Sequence, residues 1–335
     1  MSRIVRYLCG WQASEKEKSE ERSISPDAPG HPFPMRKTQI QENPMHHYVY
    51  LVNRFNLKES TDEMIRRLKE VSDEYGRDYE IIVNETPEEA GAVVSRFRDT
   101  EYIITAIGGD GSINRLLNDL VGTKNILAFI PAGTGNDFAR TCMNDMEDGI
   151  HDIDLIRVND RYCVNVVCFG IDADIANDDT FIHNRFIPRK MRFNAGVLYH
   201  FLNHKKGRPL RVEYDGRIEK RRFTTIIAAN SQYYGCGYNV SPESRLDDGT
   251  MEVFLVRNLR RLKIAMLILS MKNAGHLKNP SVKILKTKKI SITAATEFKA
   301  NIDGEPLQGR HFELEMVPGA LRIDFNREFI ERVRM

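Results

Sequence analysis

The chain is short of cysteine, and the cysteines it has are not spaced for metal or redox chemistry. Its 335 residues contain five cysteines, an odd number with no CxxC spacing. Such a set supports neither a disulfide framework nor a zinc site, and it fits a reducing compartment. The N-terminal segment has an interrupted apolar stretch that is too short for a signal peptide. The sequence therefore predicts a cytoplasmic protein.

Long apolar runs and an excess of charge are lacking as well. The most apolar segment, residues 262–271, is far below the roughly 20 residues that cross a bilayer. Lys and Arg number 49 against 47 Asp and Glu, which leaves a net charge of +2 and gives no electrostatic reason to expect nucleic-acid binding. A hydrophobic content of 41% is typical of a globular protein, and the length suggests two domains.

What is present changes in character along the chain. Residues 1–45 hold a charged run and five prolines with few large apolar groups, so we expect a disordered extension. From residue 47 to about 131, short apolar runs alternate with amphipathic stretches, and the order βαβαβαβ predicts a parallel sheet covered by helices on both sides. A capping box at Thr86, followed by Pro87, begins one of these helices, which we expect to run to about Arg98.

The second half has a different pattern, because short turns such as 159–160 (Asn-Asp) and 215–216 (Asp-Gly) join its strands and predict antiparallel pairing. We predict strands at 152–158, 161–168, 209–214, 220–229, 250–257, 282–293, 310–317 and 320–325. Helical stretches are expected near 194–204 and 260–274.

A bare backbone follows the third predicted strand. Gly108, Gly109, Asp110, Gly111 and Ser112 stand where a strand passes into a helix, so backbone N–H groups can approach an anion at a helix N-terminus. Neither GxxxxGK[ST] nor GxGxxG occurs in the chain. The stretch predicts a phosphate-binding loop, with an ordinary tight turn as the alternative.

A second loop of this kind follows the fourth strand. Residues 131–140 read PAGTGNDFAR and bring Thr134, Asn136 and Asp137 to another strand exit. Loops at the carboxyl ends of neighbouring parallel strands converge on one crevice. Backbone donors and carboxylates without a Walker lysine indicate nucleotide phosphates held with Mg²⁺.

These motifs carry a resemblance to a known family. GGDGSIN (108–114) and PAGTGNDFAR (131–140) resemble the diacylglycerol kinase catalytic domain family, in particular the soluble bacterial lipid kinases, which are related to sphingosine and ceramide kinases. Residues 241–256 (SPESRLDDGTMEVFLV) and 301–309 (NIDGEPLQG) resemble two further signatures of that family. The resemblance extends from residue 47 onward.

The resemblance implies a fold and a division into domains. It implies an α/β N-terminal domain with a parallel sheet, of the type found in NAD kinases and diacylglycerol kinases, and a β-rich antiparallel sandwich as the second domain. We expect the nucleotide-binding domain at 46–150, completed by 322–335, and the lipid-substrate domain at 151–321.

The resemblance also implies site residues. Glu305 corresponds to the general base, and Asp110 and Asp137 would support the Mg²⁺ ion bound to ATP, partly through water. A structural Mg²⁺ would be held by the carboxylate of Asp248 and the backbone carbonyls of Arg245 and Thr250. The nucleotide-binding set comprises Asn53, Thr86, Gly108, Gly109, Asp110, Gly111, Ser112, Ile113, Asn114, Gly133, Thr134, Gly135 and Asn136.

One loop departs from the family. Relatives have an Asn-Pro-x-Ser-Gly loop after the first strand, whereas this chain reads VNRFNLKES at 52–60 and keeps only Asn53. Arg54, Lys58 or Ser60 are the side chains that would substitute, and the affinity for ATP is in question at this loop.

The implied function is ATP- and Mg²⁺-dependent phosphorylation of a lipid hydroxyl, with diacylglycerol as the first choice, by a cytoplasmic enzyme that visits the membrane surface transiently. A sphingoid or other lipid acceptor, an NAD kinase, and a regulator that binds lipid or nucleotide remain alternatives. A homodimer is open. The basic run 185–192 predicts either membrane contact or a solvated surface. The stretch 260–278 predicts either membrane contact or a core helix. His200 and His204 have a zinc-like spacing but are read as surface residues.

Overall fold

The structure is a computed structural model, and it describes residues 46–54, 60–133, 135–177, 203, 207–271 and 274–335. The described residues belong to one compact unit that begins at Pro44. Several predictions lie outside them, namely those for residues 1–45, Lys58, Thr134, the run 185–192, the helix 194–204, and His200 and His204.

The first part of the unit is the predicted alternation of strands and helices. Its sheet has the order β2-β1-β3-β4, and all the pairs in it are parallel. The elements are β1 (His47–Asn53), α1 (Thr61–Glu74), β2 (Asp78–Asn84), α2 (Pro87–Arg96), β3 (Ile103–Gly108), α3 (Asp110–Leu120), β4 (Ile126–Pro131) and α4 (Asp137–Asp145).

Helices cover this sheet on both faces, as predicted. On one face, α1 buries Met64 and Leu68 against strand residues such as Tyr50. On the other face, α2, α3 and α4 pack on a second cluster that includes Leu51 and Phe129. The central strands are buried throughout, which is the reason that they read as continuous apolar runs.

The second part is antiparallel. The elements are β5 (Gly149–Val158), β6 (Arg161–Cys163), β7 (Val166–Gly170), α5 (Ile171–Ala176), β8 (Arg208–Tyr214), β9 (Arg217–Ala229), β10 (Tyr233–Tyr234), β11 (Tyr238–Asn239), β12 (Met251–Arg257), α6 (Arg261–Met271), β13 (Val282–Thr287), β14 (Lys289–Ile302), β15 (Glu305–Phe325) and α7 (Arg327–Arg334). The turns at Asn159 and at Asp215-Gly216 join hairpins with positive φ, as their sequences predict.

A single long strand connects the two parts. The 21-residue strand β15 pairs with β14 and β5, and its end meets the parallel sheet where Ile323 lies opposite Leu127 of β4. The helix that follows, α7, contacts α1 and buries Phe329 and Val333 in the same cluster as the first sheet. The C-terminal residues therefore pack beside the N-terminal half of the unit.

Three predicted strand limits are wrong. The stretch 161–168 is two strands, because the N–H groups of Val164 and Asn165 turn to the carboxylate of Asp303 instead of a neighbouring strand. The stretch 282–293 is divided at Lys288, since β13 pairs with β12 while β14 pairs with β8 and β15.

The opposite error concerns 310–317 and 320–325. These stretches belong to one strand, β15, whose register shifts between Val317 and Leu321 around the Pro318-Gly319 pair. A proline and a glycine indicate a turn in sequence, but here they form an irregularity within a continuous strand. The predicted helix to Arg98 ends at Arg96. No helix of the ranges described is long and apolar enough to cross a membrane.

Candidate functional site

Two glycine-rich bends pack directly on one another at the carboxyl ends of β3 and β4. A Cβ placed on Gly133 would lie 2.4 Å from the Cα of Gly109, and a Cβ on Gly109 would lie 3.1 Å from the Cα of Gly133. The N–H of Ala132 also donates to the carbonyl of Gly108 at 2.8 Å. Glycine is therefore required at both positions because the two backbones touch.

Asp110 ties the first bend to the helix after the second. Its carboxylate accepts hydrogen bonds from the backbone N–H groups of Asp137 and Phe138, both at 3.1 Å, at the N-terminus of α4. The positive end of the helix dipole stabilises a carboxylate in that place. Because Asp110 occupies the N-terminus of α4, a phosphate would meet the N-terminus of α3 instead.

Asp137 anchors a third turn, which the sequence analysis missed. Its carboxylate accepts from the backbone N–H groups of Cys236 (2.9 Å) and Gly237 (2.7 Å), in the turn between β10 and β11. Burial raises the pKa of Asp137, as does the nearby charge of Asp110, while the two hydrogen bonds lower it. The available signal was the pair of glycines around Cys236, between two tyrosines.

Gly111 differs from the packed glycines. A Cβ added there would meet no atom within 4 Å, and its φ is not in the left-handed region. The protein itself therefore does not require glycine at this position. The N–H groups of the first helical turn have no intrahelical acceptor, so the open side of Gly111 leaves room for an anion to reach the N-terminus of α3.

The second bend is closed by its own asparagine. Asn136 has a positive φ of 53° and begins α4; its side chain accepts from Gly133 N–H and donates to Gly133 C=O, both at 3.1 Å. At Gly135 an added Cβ would lie 3.0 Å from the Asp110 carboxylate. These contacts fix Gly133 and Gly135, on either side of position 134.

Polar side chains hold the end of β1, just before the loop that departs from the family. Asn53 is buried and donates to the hydroxyl of Ser112 at 3.4 Å, while Asn84 donates to Asn53 at 3.2 Å. These bonds turn Asn53 and Ser112 toward each other. Arg54 is exposed and pairs with Glu85 at 2.6 Å.

Three predicted nucleotide residues on helices have different surroundings. Thr86 forms the predicted capping box of α2 with Glu89. Ile113 is buried in the core cluster beside α3. Asn114 is buried, and its side-chain oxygen has no hydrogen-bond partner.

The carboxylate of Asp303 fixes the turn before Glu305. It accepts hydrogen bonds from the N–H groups of Val164 (2.7 Å), Asn165 (3.0 Å) and Val166 (2.8 Å). Burial raises the pKa of Asp303, and these bonds lower it. Glu305 itself is exposed at the start of β15. The sequence analysis assigned Glu305 a role but none to Asp303.

Hydrogen bonds of residues 162–166 connect the turn before Glu305 to α3. Tyr162 and Asn118 exchange hydrogen bonds, from Tyr162 N–H at 2.8 Å and back to Tyr162 C=O at 3.2 Å. Tyr162 stands just before the residues that bind Asp303. The described contacts thus connect Glu305 to the helix of the first glycine bend by way of 162–166, not by a direct hydrogen bond.

The residues predicted to hold a structural Mg²⁺ make other contacts. Asp248 pairs with the ammonium of Lys286 at 2.7 Å, and its other oxygen accepts from the backbone N–H and hydroxyl of Thr250. Burial alone would raise the pKa of Asp248, but the bonds from Lys286 and Thr250 outweigh it and lower the pKa. The Lys286 ammonium thus stands beside Asp248 where a cation would bind, and the metal role of Asp248 and of the Arg245 and Thr250 carbonyls stays a prediction.

The fit to the Mg²⁺ ion of ATP is better. Each carboxylate oxygen of Asp110 and Asp137 accepts one N–H, and each keeps a second lone pair. Contact through water is therefore compatible with the geometry. No group of three or more His, Cys, Asp or Glu side chains within the described ranges is placed to hold a metal by itself.

A small cavity lies under α6 in the antiparallel part. Its volume is about 30 Å³, which is room for two or three waters at roughly 10–15 Å³ each. Asp172 lines it and accepts from Thr225 at 2.7 Å, and burial raises the pKa of this carboxyl. Other lining residues are Ile171, Ile264, Leu267 and His276.

The fold and the site together define a class. In the parallel sheet, two neighbouring strands end in glycine bends whose backbone can hold an anion. The β-rich half adds an exposed carboxylate after a fixed turn. This is the arrangement of a nucleotide-dependent phosphotransferase. Residues 47–167 match the diacylglycerol kinase catalytic domain, and residues 165–325 match the YegS C-terminal NAD kinase beta sandwich-like domain. Residues 47–167 thus belong to the diacylglycerol kinase catalytic domain family, a family of lipid kinases.

Relatives and solved structures agree with this assignment. A diacylglycerol kinase of Staphylococcus haemolyticus (strain JCSC1435) is 26% identical over 226 residues, which are 62% of this chain and 66% of that protein. A diacylglycerol kinase of Bacillus subtilis (strain 168) is 24% identical over 222 residues, 61% of this chain and 71% of that protein. The chain thus spans about two thirds of the curated relatives that it matches.

The fold is also that of a solved structure. A candidate diacylglycerol kinase from Bacillus anthracis str. Sterne superposes with a TM-score of 0.70 at 19% identity, over 87% of this chain and 99% of that one. The predicted fold class, an α/β domain with a β-sandwich-like second domain, is confirmed.

Proposed function

We propose that the protein phosphorylates a lipid hydroxyl with MgATP, and that its acceptor is diacylglycerol, which becomes phosphatidic acid. The observation that carries the proposal is the pair of glycine bends locked together at Gly109 and Gly133, with the open side of Gly111 at the N-terminus of α3. The names of the relatives, diacylglycerol kinase in both species above, support the acceptor.

The bends would hold the triphosphate through backbone donors. The cradle is rigid because the carboxylates of Asp110 and Asp137 each accept hydrogen bonds from backbone N–H groups of a neighbouring turn. A preorganised donor set costs little reorganisation when charge develops on the transferred phosphoryl group. Water-mediated contact with these carboxylates would orient the Mg²⁺ that ATP brings.

Glu305 would act as the general base. As the acceptor oxygen forms its bond to the γ-phosphorus, the bond from that phosphorus to the bridging oxygen breaks and ADP leaves; the hydroxyl proton passes to the Glu305 carboxylate. The exposed carboxylate of Glu305 can receive a substrate, because Asp303 makes the structural bonds of the turn. The enzyme would meet its lipid from the cytoplasm, at a membrane surface that it visits transiently.

Phosphate transfer from ATP tests the proposal. The full chain is incubated with Mg²⁺ and ATP labelled in its γ-phosphate, together with vesicles that contain diacylglycerol, a sphingoid base or ceramide, and separately with NAD. We expect labelled phosphatidic acid to be the principal product. Labelled NADP without labelled lipid would make the protein an NAD kinase, and ATP binding without any transfer would make it a regulator; both results contradict the proposal.

A further inference from the structure

Helix α6 is apolar on two opposite faces. At about 100° per residue, Ile264, Leu267 and Met271 share one side, and they face the small cavity and the sheet below it. Leu262 and Met266 lie on the reverse side, together with Leu269. A helix that is apolar all round is normally enclosed by protein, but the residues that the structure describes enclose α6 on one side only.

The outer face of α6, defined as Leu262, Met266 and Leu269, is unusually exposed. These side chains are 72%, 53% and 47% exposed. Within the described residues only seven large apolar side chains are exposed to this degree, and three of them are these neighbours on one short helix. Scattered exposed apolar residues need no explanation, whereas a cluster of them indicates an interaction site.

The stretch of chain that contains the outer face has charges of one sign in its sequence, although Lys283 and Lys286 pair with Glu219 and Asp248 from elsewhere. No Asp or Glu occurs from residue 253 to residue 296, although the chain as a whole has nearly as many acids as bases. Arg260 and Lys263 are exposed beside the outer face. The basic residues of this acid-free stretch are Arg257, Arg260, Arg261, Lys263, Lys272, Lys278, Lys283, Lys286, Lys288 and Lys289.

We propose that the outer face of α6 inserts into the surface of an anionic membrane, with Arg260 and Lys263 at the level of the lipid headgroups. An apolar face bordered by cations, on a helix too short to span, is the composition of an interfacial helix. The charge decides against a second copy of this chain, because two such faces would bring like charges together. The proposal rests on the proposed function, since a lipid kinase must reach its acceptor in a bilayer.

The helix is also coupled to the turn that carries Glu305. Ile171, at the start of α5, packs in the cluster of α6. At the other end of α5, Asn177 accepts from the side chain of Asn301 at 2.9 Å, and Asn301 accepts from the N–H of Gly304 at 3.0 Å. The six residues of α5 span only about 9 Å. The cluster under α6 is therefore separated from the turn of the proposed base by one short helix and two side-chain hydrogen bonds.

Vesicle flotation tests the docking surface. The full chain is floated with vesicles of phosphatidylcholine alone and with vesicles that also contain phosphatidylglycerol. We expect binding to the anionic vesicles, a loss of about tenfold or more for Leu262→Asp, and a loss of about fivefold for each of Arg260→Gln and Lys263→Gln. Ile150→Asp is the matched control, because Ile150 is 44% exposed on β5, outside α6, and it should leave binding unchanged.

The outcomes separate this proposal from the proposed kinase function. Transfer to a short-chain diacylglycerol that is soluble as a monomer needs no membrane, so Leu262→Asp should retain it while losing turnover on vesicles. Equal binding of Leu262→Asp and the wild type to anionic vesicles would overturn the docking surface. So would a wild-type dimer in light scattering that Leu262→Asp converts to a monomer. Normal docking without any lipid phosphorylation would instead overturn the kinase function alone.

Discussion

The two parts of the unit use their carboxylates in opposite ways. In the α/β part, Asp110 and Asp137 bind backbone N–H groups and hold three turns together. In the β-rich part, Asp303 takes the structural bonds, and Glu305, two residues later, is left exposed. The comparison suggests that the first part supplies a rigid cradle and the second part supplies the group that reacts.

The largest expected effect follows from replacing the exposed carboxylate. Glu305→Gln keeps the size of the side chain but removes the base, so kcat should fall by roughly 10²–10⁴-fold. The free energy of unfolding should stay within about 0.5 kcal/mol of the wild type, because no described contact is lost. Steady-state turnover and urea unfolding measure the two quantities.

A matched variant gives this prediction its control. Glu313→Gln changes another exposed glutamate of β15 and should leave kcat unchanged. If Glu305→Gln turned over at the rate of the control, the division of labour between Asp303 and Glu305 would be wrong.

The next effect separates a glycine that the ligand requires from one that the protein requires. Gly111→Ala adds a methyl group in open space, so it should weaken ATP binding about tenfold to hundredfold by displacing a charge-assisted hydrogen bond. Its free energy of unfolding should be unchanged or higher by up to about 1 kcal/mol, since alanine favours a helix. ATP titration calorimetry and urea unfolding make the measurement.

Gly133→Ala should behave in the reverse manner. Its Cβ would lie 2.4 Å from the Cα of Gly109, and overpacking of this kind lowers the free energy of unfolding by about 1–3 kcal/mol. Gly91→Ala on α2 is the neutral control.

Normal ATP affinity in Gly111→Ala would show that the open side is not the phosphate site.

The third prediction concerns the anchor of the reactive turn. Asparagine tolerates the left-handed backbone conformation of residue 303. In Asp303→Asn, however, the amide N–H₂ would face the N–H groups of Val164 and Asn165 and could not accept their hydrogen bonds. The free energy of unfolding should fall by about 1–3 kcal/mol. Urea unfolding of Asp303→Asn beside Glu305→Gln makes the contrast, and equal stability of these two variants would contradict the structural role of Asp303.

The smallest effect lies at the loop of Asp248. Because its pKa is lowered in the folded state by Lys286 and Thr250, the stability from this carboxylate is present above its unfolded pKa of about 3.9 and is lost as pH falls through the folded value. Lys286→Met should remove part of it, at most about 1 kcal/mol because the pair is partly exposed. Thermal unfolding at pH 7 and at acid pH measures the difference.

The same variant sharpens the question of a metal. The Tm of the wild type should not respond to a chelator, whereas Lys286→Met leaves a carboxylate that Mg²⁺ can neutralise, so its Tm should rise with added Mg²⁺. A clear fall of the wild-type Tm on chelation would restore the metal role predicted for Arg245, Asp248 and Thr250.

The α/β part was largely predictable because its strands are short, apolar and separated by amphipathic helices, and the glycine loops stand at strand exits. The β-rich part was less predictable from the sequence. Where β13 ends and β14 begins depends on which strands they pair with, and the local sign of the division is a shift in the phase of the alternation at the exposed pair Lys288 and Lys289. The Pro318-Gly319 pair reads as a turn but lies within β15.

The candidate site shows the same limit. The motifs located the residues, but partners distant in sequence decide what each carboxylate does. The bond from Gly237 to Asp137 and the pairing of Lys286 with Asp248 each join a motif residue to a residue outside the motifs. No local pattern indicated that Asp303, and not Glu305, would be the structural member of its turn.

Backbone hydrogen exchange with a non-hydrolysable ATP analogue and Mg²⁺ tests most directly whether the triphosphate occupies the open side of Gly111. The amides of Gly109, Asp110 and Gly111 should exchange more slowly when the analogue is bound, while the amides of Asp137 and Phe138, already bonded to Asp110, should change little. Unchanged exchange at 109–111 under saturating analogue would contradict the account, because the nucleotide would then lie elsewhere.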